Sequence, residues 1–147
     1  MKDNKLIIDK LNGLLADYQI FYQNLRGFHW NIQGRNFFEL HVKFEELYND
    51  AALKIDEVAE RILTIQGTPL HTFQDYLNES EIDPVKGVSD DENSVKTLVS
   101  NLEQIVSKQK EIKDIAGDAA DGGTEDQMSA FIEEQEKILW MYRAWLK

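Results

Sequence analysis

Leu25-Arg26-Gly27-Phe28-His29-Trp30-Asn31-Ile32-Gln33-Gly34-Arg35-Asn36-Phe37-Phe38-Glu39-Leu40-His41 reads as one helix ending, a tight turn, and a second helix beginning. Gly34 can take the left-handed conformation that stops a helix. Asn36 with Glu39 forms a capping-box signature for the next start. Upstream, Ile7, Leu11, Leu14, Tyr18, Phe21, Leu25 and Phe28 recur at alternating helical steps, and downstream Leu40, Phe44, Leu47, Ala51, Ile55, Val58, Ile62 and Ile65 do the same. That period is the apolar stripe of an amphipathic helix. Helices joined by so short a turn fold back on one another.

The second helix is expected to end at Gly67-Thr68-Pro69, and residues 68–91 to form a long polar connection. Within it, Thr72 can cap a short helix to Leu77 whose apolar face is Phe73, Tyr76 and Leu77. Ser89 and Glu92 offer another capping box before Val95, Leu98, Leu102, Ile105, Ile112 and Ile115. That helix should stop near Gly117–Gly123. Thr124 and Gln127 then open the last one, through Met128, Phe131, Gln135, Ile138, Tyr142 and Trp145. The pattern predicts an all-α fold, a four-helix bundle with one long crossover carrying a short extra helix. That is the ferritin-like arrangement rather than a simple up-down bundle.

The chain has 147 residues, which predicts a single domain over 1–147. A net charge of -11 repels phosphate backbones, so no electrostatic case exists for nucleic acid. Only Lys2 and Lys5 near the start and Lys147 at the end resemble a basic tail, and DNA binding is not expected. Cysteine is absent, which removes disulfides and thiolate metal sites. Neither a signal peptide nor an apolar run long enough to span a membrane is visible, so a cytoplasmic protein with no membrane partner is expected.

Four side chains of metal-ligand type stand out: His29 and His41 either side of the turn, and Asp56 and Glu60 one helical turn apart. The turn brings the imidazoles level. His41 and Asp56 share a helix but lie 15 positions apart, roughly 22 Å at the helical rise, so one ion cannot bridge them within a chain. Antiparallel packing of two such helices about a two-fold axis sets the histidine end of one beside the carboxylate end of the other. Imidazole with carboxylate and no sulfur suits iron(II), manganese or zinc, and Glu45, one turn after His41, could hold a second ion. The competing explanations are ordinary: a capping or core histidine, and carboxylates paired with Lys54 or Arg61. Trp30 reads as core packing, with a redox-active neighbour of His29 as the alternative; Trp140 and Trp145 read as packing or interface residues, and His71 as structural.

The chain resembles the Dps family, the small ferritins named for DNA protection during starvation. The resemblance rests on Asn24-Leu-Arg-Gly-Phe-His29-Trp30-Asn31, His41, Asp56-Glu57-Val-Ala-Glu60-Arg61 and Gly67-Thr-Pro69. Thr124-Glu-Asp126, Glu136-Lys137 and Leu139-Trp140-Met141 add to it. It implies a hollow dodecamer with a ferroxidase centre at each two-fold interface, where iron(II) is oxidised preferentially by hydrogen peroxide and stored as ferric oxyhydroxide. Carried over by position, His29, His41, Asp56 and Glu60 are the ligands, and Glu45 matches an extra acidic ligand of some members. Asp118, Asp121 and Asp126 are the counterparts of acids lining three-fold pores, although Gly122 and Gly123 depart from a denser acidic run. A catalytically silent helical scaffold and a DNA-compacting protein are the alternatives. The spaced E-x-x-H motifs of an intrachain di-iron centre are absent.

Overall fold

The computed structural model describes residues 4–147, so Lys2 lies outside the described residues. Four long helices, α1 (Asn4–Asn31), α2 (Phe37–Thr64), α4 (Asp91–Asp118) and α5 (Gly122–Leu146), form an all-α bundle. A short α3 (Phe73–Glu79) sits in the crossover between α2 and α4. The five-residue turn makes α1 and α2 antiparallel. Asn24–Asn101 and Lys10–Glu111 contacts show that α1 and α4 also run in opposite directions. Gln109–Gln135 and Glu103–Arg143 do the same for α4 and α5. The parallel pair α2 and α4 is what the long crossover makes possible.

A long connection leaves many backbone groups needing partners, and α1 supplies them along its length. Asn12 accepts from Leu70 N and donates to Thr68 O. Asp17 accepts from Ser80 Oγ and Glu81 N. Asn24 accepts from Val85 N and donates to Asp83 O. Gln33 N donates to Ser89 O at 2.9 Å, which pins the α1–α2 turn to the end of the crossover. Asp17 is buried and is compensated by Lys108 Nζ at 2.5 Å. Desolvation pushes the Lys108 pKa down, but hydrogen bonds to Asp17 and Glu81 outweigh it and hold the pKa above the ordinary lysine value.

The helix ends depart from the expected signals in instructive ways. Asn36 stands at the N-cap of α2 but makes no side-chain cap bond. Its φ of -99° and ψ of 18° are not the extended geometry that capping requires, and its amide donates instead to the Asp91 carboxylate at 2.8 Å. Asp90 rather than Ser89 caps α4, and Asp121, three residues ahead of Thr124, caps α5. Thr72 caps α3 as its sequence suggests.

Two helix stops use non-glycine residues in left-handed backbone, Gln66 (φ 73°) and Ala120 (φ 58°). Gly67 N donates to Ile62 O and Gln66 N to Leu63 O, and the same pair of bonds recurs from Asp121 N to Ala116 O and Ala120 N to Gly117 O. Both ends are Schellman motifs. Gly67 is required for space rather than for its backbone angle, since a Cβ there would lie 2.8 Å from Ile8 Cγ2.

The centre of the bundle is polar but neutral. The Tyr18 hydroxyl donates to Gln109 Oε1, Gln109 Nε2 to Gln135 Oε1 at 2.6 Å, and Gln135 Nε2 back to the Tyr18 hydroxyl at 2.7 Å. The three groups close on themselves and are fully buried. Burial pushes the Tyr18 phenol far above its usual range, so it stays protonated. Among the described residues, no group of three or more His, Cys, Asp or Glu within the chain could hold a metal ion. Nor is any helix there long and apolar enough to cross a membrane.

Candidate metal centre

The turn at residues 32–36 brings the two histidines into face-to-face contact, with ring centroids 3.8 Å apart and planes within 11°. Each is fixed by the other's backbone: His29 Nδ1 lies 2.6 Å from His41 O, and His41 Nδ1 lies 2.7 Å from His29 O. A carbonyl only accepts, so both Nδ1 atoms carry hydrogen, and in the neutral rings both Nε2 atoms present a lone pair. This is the tautomer and the anchoring that metal-ligating imidazoles use. Phe37 stacks on the other face of His41 at 4.9 Å.

Glu45 Oε1 lies 3.6 Å from His29 Nε2. A lone pair and a carboxylate facing each other at that separation can both bind one metal ion set between them. The donor set fits a divalent first-row metal.

Asp56 and Glu60 are exposed on α2. The cations that could have neutralised them are committed elsewhere. Lys54, only 4% exposed, binds Asp50 at 2.7 and 2.9 Å and Glu134 at 3.2 Å. Arg61 binds Asp121 at 2.7 Å and Thr124 Oγ1 at 3.0 Å. Both carboxylates fall on the stripe Phe38, Val42, Glu45, Asn49, Asp56, Glu60, Leu63, spaced by three, four or seven positions along the helix. Large apolar side chains on it are uncovered, Phe38 at 80% and Leu63 at 58% exposure, with Leu53 beside them at 66%. One helix face thus carries apolar groups, a histidine end and an acidic end.

The three acids at the α4–α5 junction are not equivalent. Asp118 and Asp126 are exposed, whereas Asp121 is buried. Its carboxylate accepts from Thr124 N and Thr124 Oγ1 and pairs with Arg61. Desolvation pushes its pKa up, but the Thr124 and Arg61 hydrogen bonds outweigh that and hold it below the ordinary value. Gly123 makes the Arg61 approach possible, because a Cβ there would lie 2.7 Å from the Arg61 Cζ.

The ferritin-like domain family model matches residues 8–147. The DNA protection during starvation protein of Porphyromonas gingivalis is 44% identical over 139 residues, covering 95% of this chain and 87% of that protein. The Dps protein from Vibrio cholerae O1 superposes with a TM-score of 0.98 at 48% identity, over 99% of this chain and 92% of that one. The chain belongs to the Dps family of ferritin-like proteins. The Dps from Bacillus brevis has the same fold, with a TM-score of 0.97 at 37% identity over 100% of this chain and 99% of its own. The Vibrio cholerae Dps is a member of a broad superfamily of ferritin-like diiron-carboxylate proteins.

Reading the sequence alone left Tyr48 unmentioned. It packs edge to face on His29 at 5.3 Å, and the signal was available, since His41, Glu45 and Tyr48 stand at i, i+4 and i+7 of one helix.

Proposed function

We propose that this Dps chain, acting as a single domain over 1–147, binds iron(II) as its substrate at a centre shared between two copies. His29, His41 and Glu45 come from one chain, and Asp56 and Glu60 of the partner subunit complete the shell. The observation that carries this reading is the mutual Nδ1 anchoring of His29 and His41, which leaves both Nε2 lone pairs available as ligands, with His29 Nε2 3.6 Å from Glu45. Two acids stand uncovered at the far end of the same helix.

Apolar burial favours assembly. Covering Phe38, Val42, Leu53 and Leu63 on both chains, each between 53% and 80% exposed, contributes at most about 8–15 kcal/mol at ~1.5–3 kcal/mol per fully exposed side chain. The cost of association is about 4–15 kcal/mol. Six such dimers closing into a hollow dodecamer would give a cavity for ferric oxyhydroxide. Asp118 and Asp126, both exposed, would draw cations inward; Asp121 serves the α5 cap and the Arg61 clamp.

The chemistry needs no protein nucleophile. Two ferrous ions each give one electron to one hydrogen peroxide, whose O–O bond breaks; two protons are taken up and two waters leave. The carboxylate ligands favour the ferric product by their charge and hardness, while pairing the electrons avoids releasing hydroxyl radical. The result is iron storage coupled to peroxide removal in the bacterial cytoplasm.

The test is to add ferrous iron anaerobically to the purified metal-free protein, then substoichiometric peroxide, and to follow ferric absorbance. Oxidation well above the buffer rate, consuming about two ferrous ions per peroxide, is expected. A rate equal to buffer would leave a silent scaffold.

A further inference from the structure

Each imidazole is fixed by a carbonyl on the other helix, so the Nε2 positions depend on how the end of α1 is spaced from the start of α2. The turn between them does little to set that spacing. Inside it, among the described residues, one backbone bond closes the chain, from Phe37 N to Gly34 O at 3.1 Å. Gly34, at φ 111°, sits in backbone that glycine alone adopts freely.

Bracing comes from outside, at both ends of the turn and from one place. Gln33 N, just after α1, donates to Ser89 O at 2.9 Å. Asn36, just before α2, donates its side-chain amide to Asp91 Oδ2 at 2.8 Å. Ser89 closes the crossover and Asp91 opens α4. Asp91 is itself held, since its Oδ1 accepts from Glu92 N at 2.7 Å, and Asn24 ties α1 to Asn101 of α4. Asn36 gives up a local role for this contact. An asparagine at the N-cap ordinarily accepts from the first helical amides, yet Asn36 makes no such bond and reaches across 55 positions of sequence instead. The next residue, Phe37, stacks on His41 with ring centroids 4.9 Å apart, so a shift at Asn36 reaches the imidazole through one packed ring.

We infer that Asn36 and Asp91 are positioning residues for the metal centre, an inference that rests on the shared-centre reading above. Their bond fixes α2 against α4 and thereby sets the separation at which His29 and His41 bond each other's carbonyls. Neither residue touches the ion. Without the bond the incoming ion has to order the imidazoles itself, and affinity falls by that cost. Groups that orient metal ligands contribute about 10–100-fold in affinity, and a bond one step further from the rings belongs at the low end, about tenfold.

Cobalt(II) is the probe, because its visible absorption reports ligation without any oxidation step. The metal-free assembled protein is titrated with it, His41→Ala giving the baseline for ions bound elsewhere, while circular dichroism and gel filtration check fold and assembly. Asn36→Ala and Asp91→Ala are each expected to weaken histidine-dependent cobalt binding about tenfold. The double alanine variant should be no weaker than either single one, since both break the same bond. Asn36→Asp combined with Asp91→Asn exchanges donor and acceptor and should recover most of the affinity. Asn36→Asp alone, which sets two carboxylates against each other, should not. Alanine variants that bind as tightly as the unaltered chain, or losses that add in the double variant, overturn the inference. So does an exchanged chain that folds and assembles but still binds about tenfold more weakly, which keeps the test decisive if a single variant fails to fold. No histidine-dependent cobalt signal from the unaltered chain overturns this inference and the shared-centre reading together. A normal signal indifferent to Asn36 and Asp91 overturns this inference alone.

Discussion

Co-assembly of His41→Ala and Asp56→Ala chains should restore activity that neither variant has by itself. Fifteen residues of α2 separate the two positions, roughly 22 Å along the helix, so the two lesions lie in different centres of any one chain. In a dimer of His41→Ala chains every centre lacks an imidazole; in a dimer of Asp56→Ala chains every centre lacks an acid. A mixed dimer differs. One centre takes both imidazoles from the Asp56→Ala chain and both acids from the His41→Ala chain, and is intact, while the other carries both lesions. Random pairing at equal expression makes about half of the dimers mixed, so about a quarter of all centres should be whole. The assay is peroxide-dependent ferric formation per protomer, on particles carrying both of two affinity tags. Particles no more active than the average of the separate variants would refute the shared-centre reasoning, because an intrachain centre gains nothing from mixing.

Further expectations concern the scaffold and its charges. Ala120→Gly should stabilise the protein by about 0.5–1 kcal/mol, the strain of a left-handed alanine less the extra chain entropy of glycine; an unchanged or lower urea midpoint would argue against strain at Ala120. Asp121→Ala should cost about 2–4 kcal/mol, from a lost α5 cap and lost charge-assisted bonds to Arg61 and Thr124, and Asp121→Asn, which can still cap, clearly less. Because the folded Asp121 pKa is lowered, its stabilisation is present above the ordinary aspartate range near 4 and is lost as pH falls through the lower folded value. Acid titrations of the unaltered and Asp121→Asn chains should therefore converge at low pH.

The bundle was legible because apolar residues at helical spacing leave few alternatives, and because Pro69, Pro84 and the polar stretch between the helices announce a long crossover. Ends were harder. Asn36 has the letters of a capping box, yet a better partner, Asp91, comes from a segment 55 positions away, which local spacing cannot reveal. Asp121 looked like a free acid beside two glycines, and only the fold brings Arg61 to it. At the candidate centre, the i, i+4 logic of Asp56 and Glu60 was readable. The mutual histidine–carbonyl anchoring was not, since it depends on the depth of a five-residue turn. Tyr48 could not be told from a core aromatic, since its contact with His29 depends on how α1 and α2 pack.

Iron located by anomalous diffraction in crystals of the assembled protein is the most direct measurement. One iron-bearing centre per protomer is expected, with His29 and His41 of one chain and Asp56 and Glu60 of the partner subunit within coordination distance. Iron held by ligands of a single chain, or found away from the histidines altogether, would contradict it.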